Sequence, residues 1–244
     1  MNWGSDWYLK FPIAHRGYHY DDNTPENSLA SFRACIEKKL PIELDVHIIS
    51  DGTALVFHDD TFERMTGYPK DIYVATYSEV ANLKLLNSNE KIPTLQDVLE
   101  LVDGQVPLVI ELKCLQHDGR LEHQVYNMLR AYHGPYCIQS FNPYTLLWFK
   151  RFAPQITRGF LSGSYIDSKL TFIEKFILKS FVMLFLIKPH YIGMESNCLW
   201  YPTVRLARKL FKIPIIAWCI TSKSEAEKLP LEVSNIIFEG FDPS

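Results

Sequence analysis

Short apolar β-type runs alternate with helical patterns along the chain, and this alternation limits the fold more than any other feature. The runs stand at 13–16, 42–47, 108–113, 137–140, 159–162, 191–195, 215–219 and 235–239. Eight such runs in 244 residues predict a (β/α)8 barrel, a TIM-type α/β fold whose usual length is about 250 residues. An open doubly wound sheet is the alternative, but its Gly-rich fingerprint is missing. A ninth run, 54–58, follows Ile48-Ile49 across Ser50-Asp51-Gly52-Thr53. That interval is too short for a crossover helix, and Asp-Gly between apolar runs signals a hairpin. The expectation is one barrel domain over 1–244, with a β-hairpin after strand 2 and a small insertion over 60–91.

Helix starts fill the gaps. Thr24-Pro25 reads as an N-cap followed by proline at the first helical position. Thr94 reads as a second N-cap, ahead of an apolar face of Leu95, Val98, Leu99 and Val102. A short helix is expected over 77–86, inside the insertion.

Charge excludes one broad class. Lys plus Arg total 25 against 28 Asp plus Glu, so there is no basic excess of the kind nucleic-acid binders carry. The five cysteines, Cys35, Cys114, Cys137, Cys198 and Cys219, contain no CxxC pair, which favours a reducing compartment over zinc ribbons or redox motifs. The first residues lack a basic segment followed by an apolar run, so no signal peptide is expected and the chain reads as cytoplasmic.

In a barrel of this type, chemistry gathers where strands end and βα loops begin. The first run ends in His15-Arg16-Gly17. The second carries Glu43 and Asp45, two residues apart and so on one face. The hairpin returns to His58-Asp59, and the third barrel run carries Glu111 and Lys113, again on one face. Two imidazoles, three carboxylates and two cations therefore converge on one rim. Carboxylates in apolar strands need partners. Ion pairs with Arg16 or Lys113 are the plain reading. Three acids against two cations also leave room for a hard divalent ion, Mg²⁺ or Ca²⁺ rather than zinc. The other histidines, His19, His47, His117, His123, His133 and His190, read as surface or core residues, with His47 the closest to the site because it shares register with Asp45.

The ordered set His15-Arg16-Gly17, Pro25-Glu26-Asn27-Ser28, Glu43-Leu44-Asp45-Val46, Asp51-Gly52 and His58-Asp59 resembles the glycerophosphodiester phosphodiesterases. The resemblance continues through Arg64-Met65-Thr66-Gly67, Ile92-Pro93-Thr94-Leu95, Glu111-Leu112-Lys113, Ser140-Phe141 and Trp218. It implies a phospholipase-C-like barrel and metal-dependent hydrolysis of a small glycerophosphodiester to glycerol 3-phosphate and an alcohol. It also implies roles. Glu43, Asp45 and Glu111 would bind one divalent cation, Mg²⁺ or Ca²⁺. His15 and His58 would be the acid–base pair. Arg16 and Lys113 would face the phosphate, Trp218 would wall the substrate carbons, and Glu26 would orient Arg16. A lysophospholipase D on the same scaffold and a barrel that binds phosphodiesters without turnover are the alternatives.

Two positions depart from the family pattern. The last strand reads Ile236-Ile237-Phe238-Glu239-Gly240 where Thr-Asp is more common, and Cys219 follows Trp218 where Thr is common. Both are expected at the alcohol side of the site, where they would bear on leaving-group preference. One further segment, 170–187, is apolar on all sides in its second half, but its longest unbroken apolar run, 181–187, is far below the roughly 20 residues of a spanning helix. A helix covered by a neighbouring loop is the plain reading. Homodimer contact and peripheral membrane contact, helped by Lys169, Lys175, Lys179 and Lys188, are the sharper ones.

Overall fold

The computed structural model describes residues 3–114, 118–165, 171, 175 and 178–243. Its strands are β1 (Ile13–Ala14), β2 (Ile42–Ile48), β3 (Ala54–Val56), β4 (Leu108–Leu112), β5 (Tyr136–Ser140), β6 (Arg158–Ser162), β7 (Tyr191–Glu195), β8 (Ile215–Ile220) and β9 (Val233–Phe238). Eight of them run parallel in the order β1-β2-β4-β5-β6-β7-β8-β9. The ring closes because short β1 pairs on both sides, Ala14 with Ile42 and Ile13 with Ile237. Strand β3 returns antiparallel on β2, with Val46 opposite Val56, as a hairpin across Asp51-Gly52. The expected (β/α)8 barrel is the fold that forms, with strand ends shifted by a residue or two.

The helices are α1 (Leu29–Lys38), α2 (Glu63–Thr66), α3 (Tyr77–Val80), α4 (Leu95–Val102), α5 (Arg120–Leu129), α6 (Pro143–Phe152), α7 (Leu184–Ile187), α8 (Pro202–Phe211) and α9 (Lys223–Glu227). Thr94 caps α4 as expected: its hydroxyl accepts from Asp97 N while the Asp97 carboxylate accepts from Thr94 N. Thr24 is not a cap. Ser28 caps α1 instead, in a reciprocal box with Ser31. Asn27 lies at φ +54°, a left-handed conformation that no helix continues through, so the Pro25–Asn27 stretch forms a turn that reaches the site. The insertion helix is also shorter than expected, four residues at α3. The insertion packs over its own apolar cluster, which includes Leu55, Phe57, Phe62, Met65 and Ile72.

Register explains why the chemistry collects. Pairing aligns Asp45 with Glu111, Glu111 with Gln139, Gln139 with Gly159 and Gly159 with Tyr191. Side chains alternate along a strand, so this row and every second residue above and below it face the barrel interior. Glu43, Asp45 and His47 share that face on β2, while Leu44 and Val46 point to the helical layer. Tyr191 fills the barrel floor, where an added Cβ on Gly159 would fall 2.1 Å from its ring. Tyr8 packs against Tyr191 at 5.4 Å between ring centres, so the N-terminal residues plug the floor.

Of 170–187, residues 170, 172–174, 176 and 177 lie outside the described residues, as does His117. The rest is half covered. Leu178, Phe181, Leu184 and Ile187 are buried, whereas Val182, Phe185 and Leu186 are more than half exposed. Lys150, near the end of α6, donates to the Leu186 carbonyl, and Phe185 packs edge-on against Phe211 at the end of α8. Helix α7 ends just before β7 begins, so the exposed face sits at the N-terminal end of the barrel, opposite the rim. Among the described residues no helix is long and apolar enough to cross a membrane.

Candidate active site

The rim brings together every residue singled out there from the sequence. Glu43, Asp45 and Glu111 each offer an oxygen within 4.8 Å of the others, and all three are buried. Ion pairs accompany them: Lys113 Nζ lies 3.3 Å from Asp45 and 3.2 Å from Glu111, and Arg16 Nε lies 3.4 Å from Asp45. Among the described residues Glu43 makes no ion pair within 4.0 Å, although the Arg16 charge still acts on it. It accepts from the Arg16 backbone N–H at 3.0 Å and from Gln139 Nε2 at 3.2 Å. The electrostatics follow this division. Burial would raise the Asp45 carboxyl, but Lys113, His58 and Arg16 outweigh it and hold it well below the usual range. Burial together with Asp45 and Glu111 pushes Glu43 well above it. Burial works against the Lys113 ammonium, yet Glu111 and Asp45 hold it above its ordinary value.

Local geometry aims these groups. Arg16 and Gly17 are both left-handed, at φ +54° and +85°. This turn points the Arg16 N–H at Glu43 and its guanidinium across to Glu26, 2.9 Å away. Gly17 presses on α1, where an added Cβ would lie 2.4 Å from Ser31 Oγ. Asn27 donates to Asp45 at 2.9 Å and accepts from its backbone N–H at 3.3 Å, clamping that acid.

Each rim imidazole is held at Nδ1 by a carboxylate. His58 Nδ1 lies 2.6 Å from Asp59 and His15 Nδ1 lies 2.7 Å from Glu239. An ionised carboxylate only accepts, so in a neutral ring Nδ1 carries the proton and Nε2 keeps its lone pair. The His15 hydrogen bond holds the Glu239 carboxyl down to about 2, against burial. Arg64 links the two halves, pairing with Asp59 at 2.5 Å and Glu26 at 2.6 Å. Trp218 is half-buried, packs edge-on to Phe141 at 5.5 Å, and its Nε1 is buried without a hydrogen-bond partner.

Sequence reasoning missed several of these groups. Asp59 was visible as the neighbour of His58. Asn27 sat in the Pro-Glu-Asn stretch. Glu239 and Cys219 were expected at the alcohol side; in the structure both meet His15, Glu239 bonding its Nδ1 at 2.7 Å and Cys219 Sγ lying 3.4 Å from the same nitrogen. His19, read as a surface or core residue, lies 3.8 Å from Glu239 with Nε2 buried and without a hydrogen bond. His47 is a core residue. Its Nε2 meets the His58 carbonyl at 3.1 Å and its Nδ1 meets the Tyr73 hydroxyl at 3.1 Å.

Comparison with known proteins bears on the family and the fold. The model of the glycerophosphoryl diester phosphodiesterase family matches residues 15–181. The glycerophosphodiester phosphodiesterase of Caldanaerobacter subterraneus subsp. tengcongensis is 35% identical over 161 residues, a match spanning 61% of this chain and 65% of that protein, just under two thirds of its length. Among solved structures, an Oleispira antarctica phosphodiesterase in complex with the product sn-glycerol-3-phosphate superposes with a TM-score of 0.79 at 23% identity, covering 96% of this chain and 94% of that one. A glycerophosphodiester phosphodiesterase from Parabacteroides distasonis superposes with a TM-score of 0.72 at 25% identity, covering 93% and 92%.

Proposed function

Because the chain belongs to the glycerophosphoryl diester phosphodiesterase family, we propose that it hydrolyses a small glycerophosphodiester to glycerol 3-phosphate and an alcohol. The observation that carries this reading is the pair of imidazoles, each held at Nδ1 by a carboxylate, beside a buried three-acid cluster at the barrel rim.

The donor set fits one hard divalent cation. All three donors are carboxylates, and burial followed by the charges of Asp45 and Glu111 pushes Glu43 upward, a cluster that one cation would relieve. Glu43, Asp45 and Glu111 would hold Mg²⁺ or Ca²⁺, which when bound supplies positive charge against the phosphodiester. Arg16 and Lys113 add fixed charge where the phosphate oxygens gain negative character. His15 Nε2 takes the proton from the attacking hydroxyl, and protonated His58 gives one to the departing alkoxide. The attacking group is the neighbouring glycerol hydroxyl. Its oxygen bonds to phosphorus as the alcohol leaves, and water then opens the cyclic phosphate with the two imidazoles in exchanged roles. Glu26 orients Arg16, and Trp218 walls the substrate carbons.

A lysophospholipid substrate takes second place. The exposed apolar side chains at 182–186 would suit a lipid surface or a second copy of the chain, but they lie at the end of the barrel away from the imidazoles. Binding without turnover would not call for two oriented imidazoles.

The test is turnover of glycerophosphocholine, glycerophosphoethanolamine and a lysophospholipid with Mg²⁺, with Ca²⁺ and after chelation. The expected result is metal-dependent release of glycerol 3-phosphate from the first two. Full activity in exhaustively chelated protein would rule out the cation, and turnover of a substrate lacking the neighbouring hydroxyl would make water the nucleophile.

A further inference from the structure

We propose that His15, Cys219 and Glu239 form a second, inhibitory metal site for a thiophilic divalent ion such as Zn²⁺. One ligand atom from each lies within 4.8 Å of the other two. Nδ1 of His15 is 2.7 Å from Glu239 Oε2 and 3.4 Å from Cys219 Sγ. The two rim imidazoles differ in one respect. A proton-transfer role needs one carboxylate behind the ring, and His58 has that in Asp59. His15 has the carboxylate and a thiol besides, and the thiol has no part in that role.

The thiol faces the site because of a fault in the strand. Successive side chains of a regular strand point to opposite faces, so Trp218 and Cys219 should not share one. Between Ala217 and Ile220 the β8–β9 register shifts, and such irregularities re-aim side chains beside active sites. Cys219 thereby joins His15 and Glu239.

Donor chemistry separates this site from the acid cluster. Glu43, Asp45 and Glu111 supply oxygen alone, which suits hard ions. One thiolate, one imidazole and one carboxylate suit zinc, with a fourth position left for water. All three residues are half-buried, so an ion can reach them. Binding releases one proton: the Cys219 thiol gives its proton to solvent as the Zn–S bond forms. His15 exchanges its Nδ1 proton for one on Nε2, and Nδ1 then binds the metal. With Nε2 protonated, the ring can no longer accept a proton from a nucleophile. The inhibition rests on the reading of His15 as the base; the binding of the ion does not.

Co²⁺ serves as the spectroscopic probe, added to the full chain already saturated with Mg²⁺. One equivalent should produce a thiolate-to-cobalt charge-transfer band in the near ultraviolet, which excess Zn²⁺ bleaches. Cys219→Ser should lack the band, and Glu239→Gln, which replaces a carboxylate ligand by a neutral amide, should weaken binding by at least about tenfold, the lower end of the loss for altering even a partner outside the ligand shell. Zn²⁺ should inhibit glycerophosphocholine turnover at saturating Mg²⁺. Relative to its own uninhibited rate, Cys219→Ser should need at least about tenfold more Zn²⁺. No band, a band that survives Cys219→Ser, or inhibition relieved by added Mg²⁺ and equal in both proteins would overturn the proposal. A Cys219-dependent band in a chain that turns over no glycerophosphodiester would support the site and remove the functional reading instead.

Discussion

At the scale of single residues, the two rim imidazoles reach the same arrangement by different routes. Asp59 follows His58 in the chain, whereas Glu239 meets His15 only because β9 closes the barrel beside β1. The first partner was therefore readable from adjacency, and the second needed the closed ring. Asp59→Asn should lower kcat by about 10²-fold or more, because an amide can accept from one ring tautomer or donate to the other and no longer selects the one with a free Nε2. Steady-state kinetics on glycerophosphocholine checks this, and a rate within a factor of about two of the parent would remove Asp59 from the mechanism. His47 makes a different prediction. Burial, then Lys113, lowers its pKa from the ordinary 6.5 to about 4. As pH falls through this interval the unfolded chain takes up the proton first, so stability is full above 6.5 and is lost between 6.5 and 4. The loss should be about 3 kcal/mol, at 1.36 kcal/mol per unit. Urea unfolding at several pH values should show it in the parent and not in His47→Gln. An equal loss in both proteins would assign the acid sensitivity to other groups.

Elements that rest on side-chain period were legible, and those that rest on backbone conformation were not. The eight strands followed from runs of apolar residues, and α4 from Thr94 and a face repeating every three to four residues. Helix α1 was misread because Thr24-Pro25 has the chemistry of a helix start, while left-handed Asn27 stops a helix from passing and hands the cap to Ser28. The His15-Arg16-Gly17 turn carries a comparable constraint that a motif records without explaining. Gly17 combines φ +85° with a Cβ position 2.4 Å from Ser31 Oγ and 2.8 Å from Ser31 Cβ. Gly17→Ala therefore must both strain the backbone and push α1 away. A loss of about 2–6 kcal/mol is expected, summing the ordinary costs of strain and overpacking. The same shift would turn the Arg16 N–H from Glu43, so activity should fall in protein that remains folded. Chemical denaturation and kinetics on the same sample measure both, and an alanine variant with parental stability would contradict the reading of this turn.

For the whole molecule, the barrel buries three carboxylates at one end with two cations among them, an arrangement whose desolvation cost a further positive charge would offset. The sequence could count the charges but could not apportion them, since Asn27, Gln139 and the Arg16 N–H reach the acids from three separate segments. The structure apportions them unevenly: against burial, Lys113, His58 and Arg16 hold the Asp45 carboxyl down, whereas burial, Asp45 and Glu111 push Glu43 up despite Arg16. A cation that binds the folded cluster alone must stabilise the fold, by about 2.7 kcal/mol at a concentration one hundred times Kd. Thermal unfolding should thus move upward with Mg²⁺ or Ca²⁺, and the effect should weaken as acid protonates Glu43. Glu43→Gln separates the two explanations of the cluster. It removes the carboxyl that burial, Asp45 and Glu111 already push upward, so the cation-free variant should be at least as stable as the parent, yet it should lose most of the response to added cation. If ion pairs with Arg16 and Lys113 were the whole story, neither protein would respond to divalent cations. Scans of both proteins with and without cation read the difference, and a parent that unfolds at the same temperature in chelator and in excess Mg²⁺ or Ca²⁺ would leave the acids as a purely structural network.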